Sequence, residues 1–365
     1  MPSQLDWLES LSPWPEEFGL GRMHALLADL GEPQRAFRAI HVVGTNGKST
    51  ATRRAAAFLL REGLSVGAYT SPHVTGWSER VQVDGADADL EQALERARPA
   101  AERAGATQFE VLTAAALAEF ETAGVDVAVV EAGLGGRLDA TNVLEAEVVA
   151  LTNVALDHTD VLGETREAIA EEKLAVVAPG ATVVLGEAEW AARARARGAG
   201  RVVVGEDVGR AAAEAFLDRA LEGDVDVHLP GRFDEVGDDV FAGAHNPGGV
   251  EWLLGRLPRN DYVVVASILA DKDAEAMLAE LRRAGDTFVA TVSRSARALP
   301  AEELAARARP FFERVEPVAD PAAALERGRE LAGEHGAVLV TGSLYLLADL
   351  IVRRQRVPWG SSASA

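Results

Sequence analysis

The sequence predicts an α/β protein with parallel sheets, and three observations carry that reading. Short β-branched runs alternate with alanine-rich amphipathic stretches along most of the chain, the pattern of parallel βαβ units. The chemically interesting polar residues fall directly after those runs, where open α/β sheets collect ligands. The chain has 365 residues, of which 48% are hydrophobic and 25% charged, enough for two full cores at about 150 residues per domain.

In order, the first half offers strands at Ala39–Val43, Ser65–Thr70, Asp126–Val130 and Val148–Thr152. A helix follows the first, and another around Phe109–Ala123 precedes the third. From Gly186 to Pro230 the chain is rich in Ala, Arg and Glu and short of strand signals. The turn-like Leu229-Pro-Gly-Arg232 then reads as a linker, dividing a domain of residues 1–229 from one of residues 230–365. The second half offers strands at Asp239–Ala242, Tyr262–Ser267, Thr287–Val292 and Ala337–Thr341. The tail Trp359–Ala365 is small and polar and is expected to fray.

Charge and composition exclude several classes. Thirty-six basic against 57 acidic residues give a formal charge of −21, which repels nucleic acid and anionic membranes. With no cysteine there are no disulfides, thiolate metal sites or cysteine nucleophiles. The start lacks a basic and apolar leader, and no apolar run reaches about 18 residues, so the expected location is the cytoplasm. Only three of the basic residues are lysines, Lys48, Lys173 and Lys272, and each sits in a chemically suggestive neighbourhood. A primary amine can do what a guanidinium cannot.

Gly44-Thr45-Asn46-Gly47-Lys48-Ser49-Thr50 follows the first strand and opens a helix, so its amides and the helix dipole suit a polyphosphate, with Lys48 reaching the outer oxygens. Strict Walker spacing fails, since Val42 stands where the first glycine would be. Ser71-Pro-His73 follows the second strand, Glu131 the third, and Asn153 through His158 the fourth. Taken singly, Ser71 reads as a turn residue, His73 as a solvated imidazole and His158 as a residue at a helix start. A carboxylate ending the apolar run Val127–Val130 must be solvated or hold a cation. Hydroxyl, carboxylate and imidazole beside a phosphate loop make a magnesium environment, with the imidazole marking a second metal position.

These segments resemble a known family. Ile40-His-Val-Val-Gly-Thr-Asn-Gly-Lys48, Tyr69-Thr-Ser-Pro-His73, Glu131-Ala-Gly-Leu-Gly-Gly-Arg-Leu-Asp-Ala-Thr-Asn142, Leu156-Asp-His-Thr-Asp160, Glu172-Lys173, Ala244-His-Asn-Pro247 and Asp271-Lys-Asp273 look like the motifs of dihydrofolate synthase/folylpolyglutamate synthase, the folate branch of the Mur ligases. The resemblance implies a Mur-type phosphate-loop ATPase domain followed by a smaller Rossmann-like domain. It implies an ATP- and magnesium-dependent ligase that joins L-glutamate to dihydropteroate or reduced folates through an acyl phosphate, acting as a monomer. By the same resemblance Thr50, Ser71 and Glu131 hold one metal ion, and His158 with a carbamylated Lys173 the second. Phe109 and Leu138-Asp139-Ala140 hold the pterin end, Arg232 reaches the nucleotide, and His245 lies near glutamate and the transferring phosphoryl group. The phosphate loop and the Ala244–Pro247 motif are expected to face one cleft.

Three departures accompany the resemblance. Gly-Lys-Ser49-Thr50 replaces the family's Gly-Lys-Gly-Ser or Gly-Lys-Gly-Thr, leaving Ser49 and Thr50 both open as metal hydroxyls, with alignment favouring Thr50. Ala242 stands where the family has an aspartate near the nucleotide, and the 186–230 stretch is short, with Arg210 roughly in place of an asparagine near the adenine. A cell-wall Mur ligase would need a sugar-nucleotide domain ahead of the loop, where 43 residues precede Gly44. The alternative is a divergent, non-catalytic relative that binds nucleotide or pterin.

Overall fold

The computed structural model describes residues 3–356; the tail Trp359–Ala365 lies outside them. The chain divides into two compact units, one of Met1–Pro72 and Gly76–His228, the other of His73–Thr75 and Leu229–Ala365. The first unit contains β1 (Arg38–Val43), β2 (Val66–Tyr69), β3 (Val81–Val83), β4 (Ala86–Asp87), β5 (Val127–Glu131), β6 (Val148–Leu151), β7 (Thr182–Leu185) and β8 (Arg201–Val204). They form one sheet in the order β4-β3-β2-β5-β1-β6-β7-β8. Pairing is parallel from β2 through β8, and only β3 and β4 join antiparallel.

β1 is buried from its second residue onward because helices cover both sheet faces. Ala39 and Val43 enter one apolar cluster, Ile40 and Val42 the other. The helix Gln108–Ala123 begins at a Thr107/Glu110 capping box and stops at Gly124, whose φ is 67°. It packs so closely on β2 that a Cβ at Gly67 would lie 2.6 Å from the Phe120 ring. The connection leaving β1 runs toward β2 and that leaving β6 toward β7, so the carboxyl ends of β1 and β6 border the switch-point crevice of the sheet.

The second unit contains β9 (Arg232–Val236), β10 (Asp239–Ala242), β11 (Val263–Ala266), β12 (Thr287–Ala290), β13 (Arg314–Pro317) and β14 (Val338–Thr341), ordered β13-β12-β11-β14-β10-β9. All pairs are parallel except β9 with β10. Apolar clusters cover both faces, and Val74 lies in one of them with Phe241, Leu344 and Leu347. Leu229–Gly231 form a turn with Gly231 at φ 74°, but Arg232 is already the first residue of β9 rather than part of a linker. β8 falls within the stretch expected to lack strands. Its four residues lie between Gly200 and Gly205 among Ala/Arg helical segments, too short to stand out as a period. Among the described residues, no helix is long and apolar enough to cross a membrane.

Candidate active site

After β1 the chain turns through Gly44–Gly47 into the helix Lys48–Arg61. Gly44 has φ 149°, and a Cβ there would lie 1.8 Å from Thr152 Oγ1, so only glycine lets the β1 and β6 ends approach this closely. The loop is pinned from β6's extension. The Thr45 N–H donates to the Asn153 carbonyl at 3.0 Å, the Asn46 N–H to Asn153 Oδ1 at 2.9 Å, and Thr152 Oγ1 to the Asn46 carbonyl at 2.7 Å. Thr45 and Asn46 therefore spend their amides on shaping the loop. Gly47 caps the helix with no side-chain bond, which leaves Lys48, Ser49 and Thr50 as first-turn amides without a helical acceptor. Lys48 Nζ donates to the Thr45 carbonyl at 3.3 Å.

Glu131 ends β5 and is 1% exposed. Its Oε1 accepts from Ser49 Oγ at 3.2 Å and its Oε2 from the Ser71 N–H at 3.0 Å. Three segments far apart in sequence thus meet at one carboxylate. The hydroxyl facing it belongs to Ser49, whereas alignment favours Thr50. Thr50 is half-buried and about 100° further around the helix.

Lys173, on the helix Arg166–Leu174, is 4% exposed, and its Nζ donates to the Gly44 carbonyl at 2.8 Å. Burial, then the nearby Lys48 charge, push its ammonium down to about 7, against the pull of Asp157 and Asp139. His158 caps the short helix Thr159–Leu162 at φ 51°. Its N–H donates to Asp157 Oδ1 at 3.0 Å, and its Nε2 lies 3.9 Å from the same oxygen. Asn153 and Asp157 stand inside motifs after the fourth strand, and the structure gives them parts that the motifs alone do not: Asn153 shapes the phosphate loop, and Asp157 lies near enough to Lys173 to pull its ammonium upward. Among the described residues no cluster of three or more His, Asp or Glu side chains is built to hold a metal. The donors gathered at Glu131 are hard oxygens, too few to complete a magnesium shell alone. They fit an ion whose remaining positions come from phosphate and water.

Phe109 and Asp139 meet over Gly133. A Cβ there would lie 2.6 Å from Phe109 Cζ and 3.2 Å from Asp139 Oδ2. Phe109 also packs against Tyr69, with ring centroids 6.1 Å apart. Burial raises the Asp139 carboxyl against donors from Thr141, Leu134 and Gly133. Leu138 is 45% exposed and Ala140 buried.

Arg232 and His245 belong to the second unit, where His245 Nδ1 lies 3.2 Å from the Gly243 carbonyl and Asn246 caps the helix Pro247–Leu254. Ala242 is buried in an apolar cluster with Val240 and Val264, so an aspartate here would sit among hydrocarbon. Arg210 donates to Glu214 at 3.0 Å and to the carbonyls of Gly223 and Leu221, and stacks over Phe58. Its guanidinium is committed within the first unit.

Comparison with known proteins bears on the fold and the family. Residues 42–231 match the Mur ligase middle domain and residues 231–344 the Mur ligase glutamate ligase domain. The chain is 33% identical to the dihydrofolate synthase/folylpolyglutamate synthase of Escherichia coli, across 83% of this chain and 84% of that one. It is 34% identical to a probable bifunctional folylpolyglutamate synthase/dihydropteroate synthase of Haloferax volcanii, across 91% of this chain and 48% of that one. The chain thus spans about half the length of this haloarchaeal relative. Among solved structures it resembles the Mycobacterium tuberculosis folylpolyglutamate synthase complexed with ADP (TM-score 0.89, 28% identity, 97% of this chain and 98% of that one). It also resembles a bifunctional folylpolyglutamate synthase/dihydrofolate synthase with Mn, AMPPNP and L-glutamate bound (TM-score 0.85, 27% identity, 97% of this chain and 98% of that one). Fold and site define an ATP-dependent carbon–nitrogen ligase of the Mur type. Within that class, the chain belongs to the dihydrofolate synthase/folylpolyglutamate synthase family.

Proposed function

We propose that this chain joins L-glutamate to dihydropteroate, and to reduced folates, at the expense of ATP. The acceptor's carboxylate oxygen attacks the γ-phosphorus and ADP departs. The glutamate amine then attacks the acyl carbon and phosphate leaves with its oxygen. The observation that carries this reading is the meeting of Ser49, Ser71 and Glu131 beside a phosphate loop tied to Lys173. Two anions must approach each other, so most of what the protein contributes is charge compensation and alignment. Lys48 and the first-turn amides of the helix Lys48–Arg61 hold the phosphates. Ser49, Ser71 and Glu131 hold a magnesium ion, which when bound neutralises the γ-phosphoryl oxygens. Phe109 stacks on the pterin, Asp139 accepts from its N–H edge, and Leu138 and Ala140 line the same end. Arg232 serves the nucleotide, and His245 the glutamate and phosphoryl end.

Lys173 carries a carbamate in the working enzyme. Its buried amine, held near neutrality, adds to carbon dioxide with loss of a proton and becomes a carboxylate that serves a second metal with His158. The pairing with a dihydropteroate synthase in the Haloferax relative's name supports dihydropteroate as acceptor. Mass spectrometry after incubation with ATP, magnesium, glutamate and either acceptor is expected to find one added glutamate. No gain with either acceptor would leave the non-catalytic relative as the reading.

A further inference from the structure

His41 stands in the first motif and has no part in the chemistry above. It lies within β1, completely buried, on the sheet face shared with Ala39 and Val43. Burial pushes its imidazole down to about 4, so the ring is neutral at pH 7. Nε2 lies 2.8 Å from Thr141 Oγ1, while Nδ1 is buried with no hydrogen-bond partner among the described residues. Thr141 is itself fully buried and reaches Asp139 Oδ1 through both its hydroxyl and its N–H, the latter at 3.0 Å. Asp139 Oδ2 accepts the Leu134 N–H at 2.7 Å.

The direction of these bonds follows from counting protons. Thr141 Oγ1 has one hydrogen; given to Asp139, it leaves oxygen lone pairs for His41, which must donate from Nε2. The unpartnered Nδ1 is then an acceptor lone pair. The opposite polarity would place a proton, which burial favours, on a carboxyl that already receives the backbone N–H groups of Thr141, Leu134 and Gly133, and would also orphan an imidazole N–H, the costlier defect. A valine at His41 would fill the core without any unpaired atom, so packing does not account for the imidazole.

We infer that His41 is a positioning residue for the acceptor site: through Thr141 it saturates Asp139 Oδ1 and fixes Oδ2 on the Gly133 side, beside the Phe109 ring. In that position Oδ2 keeps a lone pair to accept one N–H donor of a flat heteroaromatic ring stacked on Phe109. The inference rests on Asp139 receiving the pterin edge.

The test is equilibrium binding of pteroic acid to the full chain by fluorescence quenching, with KM for ATP and glutamate measured in parallel. His41→Phe keeps bulk and removes the donor; Thr141→Val removes only the hydroxyl. Each is expected to weaken pteroic acid binding about tenfold. The double variant should be no weaker than the worse single, because both break one chain of bonds. KM for ATP should stay within about twofold, a split that a general loss of stability would not produce. His41→Gln, which retains an N–H donor, should recover most of the affinity. If Asp139→Asn abolishes binding while His41→Phe and Thr141→Val leave it unchanged, the positioning role is overturned. If Asp139→Asn also binds normally, the assignment of Asp139 to the pterin fails, and the inference with it. Should His41→Phe fail to fold, Thr141→Val decides alone.

Discussion

Lys173 is one of three lysines among 36 basic residues, and its Nζ donates to the Gly44 carbonyl. An arginine could make that bond, but a guanidinium does not lose its proton and cannot add carbon dioxide. Lys173→Arg is therefore expected to lose at least about 100-fold in turnover, as when a positioned charge is removed from a phosphoryl-transfer site. Lys173→Ala should be partly rescued by short carboxylates. Carbon-13 NMR of wild-type protein in labelled bicarbonate should show a carbamate resonance absent from both variants. Full activity in the arginine variant would remove the idea.

At the scale of elements, the helix Lys48–Arg61 presents two consecutive hydroxyls, and its rotation decides between them. Ser49 faces Glu131. Ser49→Ala should raise the manganese concentration for half-saturation, measured by electron paramagnetic resonance with a bound nucleotide, by about tenfold. Thr50→Ala should leave it within about twofold; the reverse order would return the metal to Thr50. The sequence could not settle this, because alignment counts positions whereas the helix phase depends on where Gly47 turns the chain. The strands at Ala39–Val43, Asp126–Val130 and Val148–Thr152 were legible to within one residue, since strands buried on both faces are nearly unbroken apolar runs. β3, β4, β7, β8, β9 and β13 were not. β3, β4, β8, β9 and β13 lie at or next to a sheet edge, where no hydrophobic pattern is required, and β7 is a buried run of only four residues. The placement of His73–Thr75 with the second unit was equally hidden, because three residues carry no composition of their own.

At the scale of the whole molecule, a formal charge of −21 leaves an excess of carboxylates after every arginine and lysine has been matched. Many of those matches are surface Arg–Glu and Arg–Asp pairs, which contribute little each. The residual term is repulsion, and raising salt from 0.1 to 1 M shortens its range from about 10 to about 3 Å. Tm should accordingly rise by about 4 °C or more in sodium chloride, which calorimetry can read; a fall would mean the pairs outweigh the excess. The long-range construction of the Gly44 loop has a consequence for synthesis. Asn46 is pinned by a residue 107 positions later, and Gly44 by one 129 positions later. On a ribosome adding about 5–20 residues each second, roughly 6–26 s separate the appearance of the loop from that of Lys173. For most of that interval, until residues 152 and 153 appear, the nascent chain carries the nucleotide motif without the bonds that shape it. A product broken off before residue 173 would display the motif and lack the site.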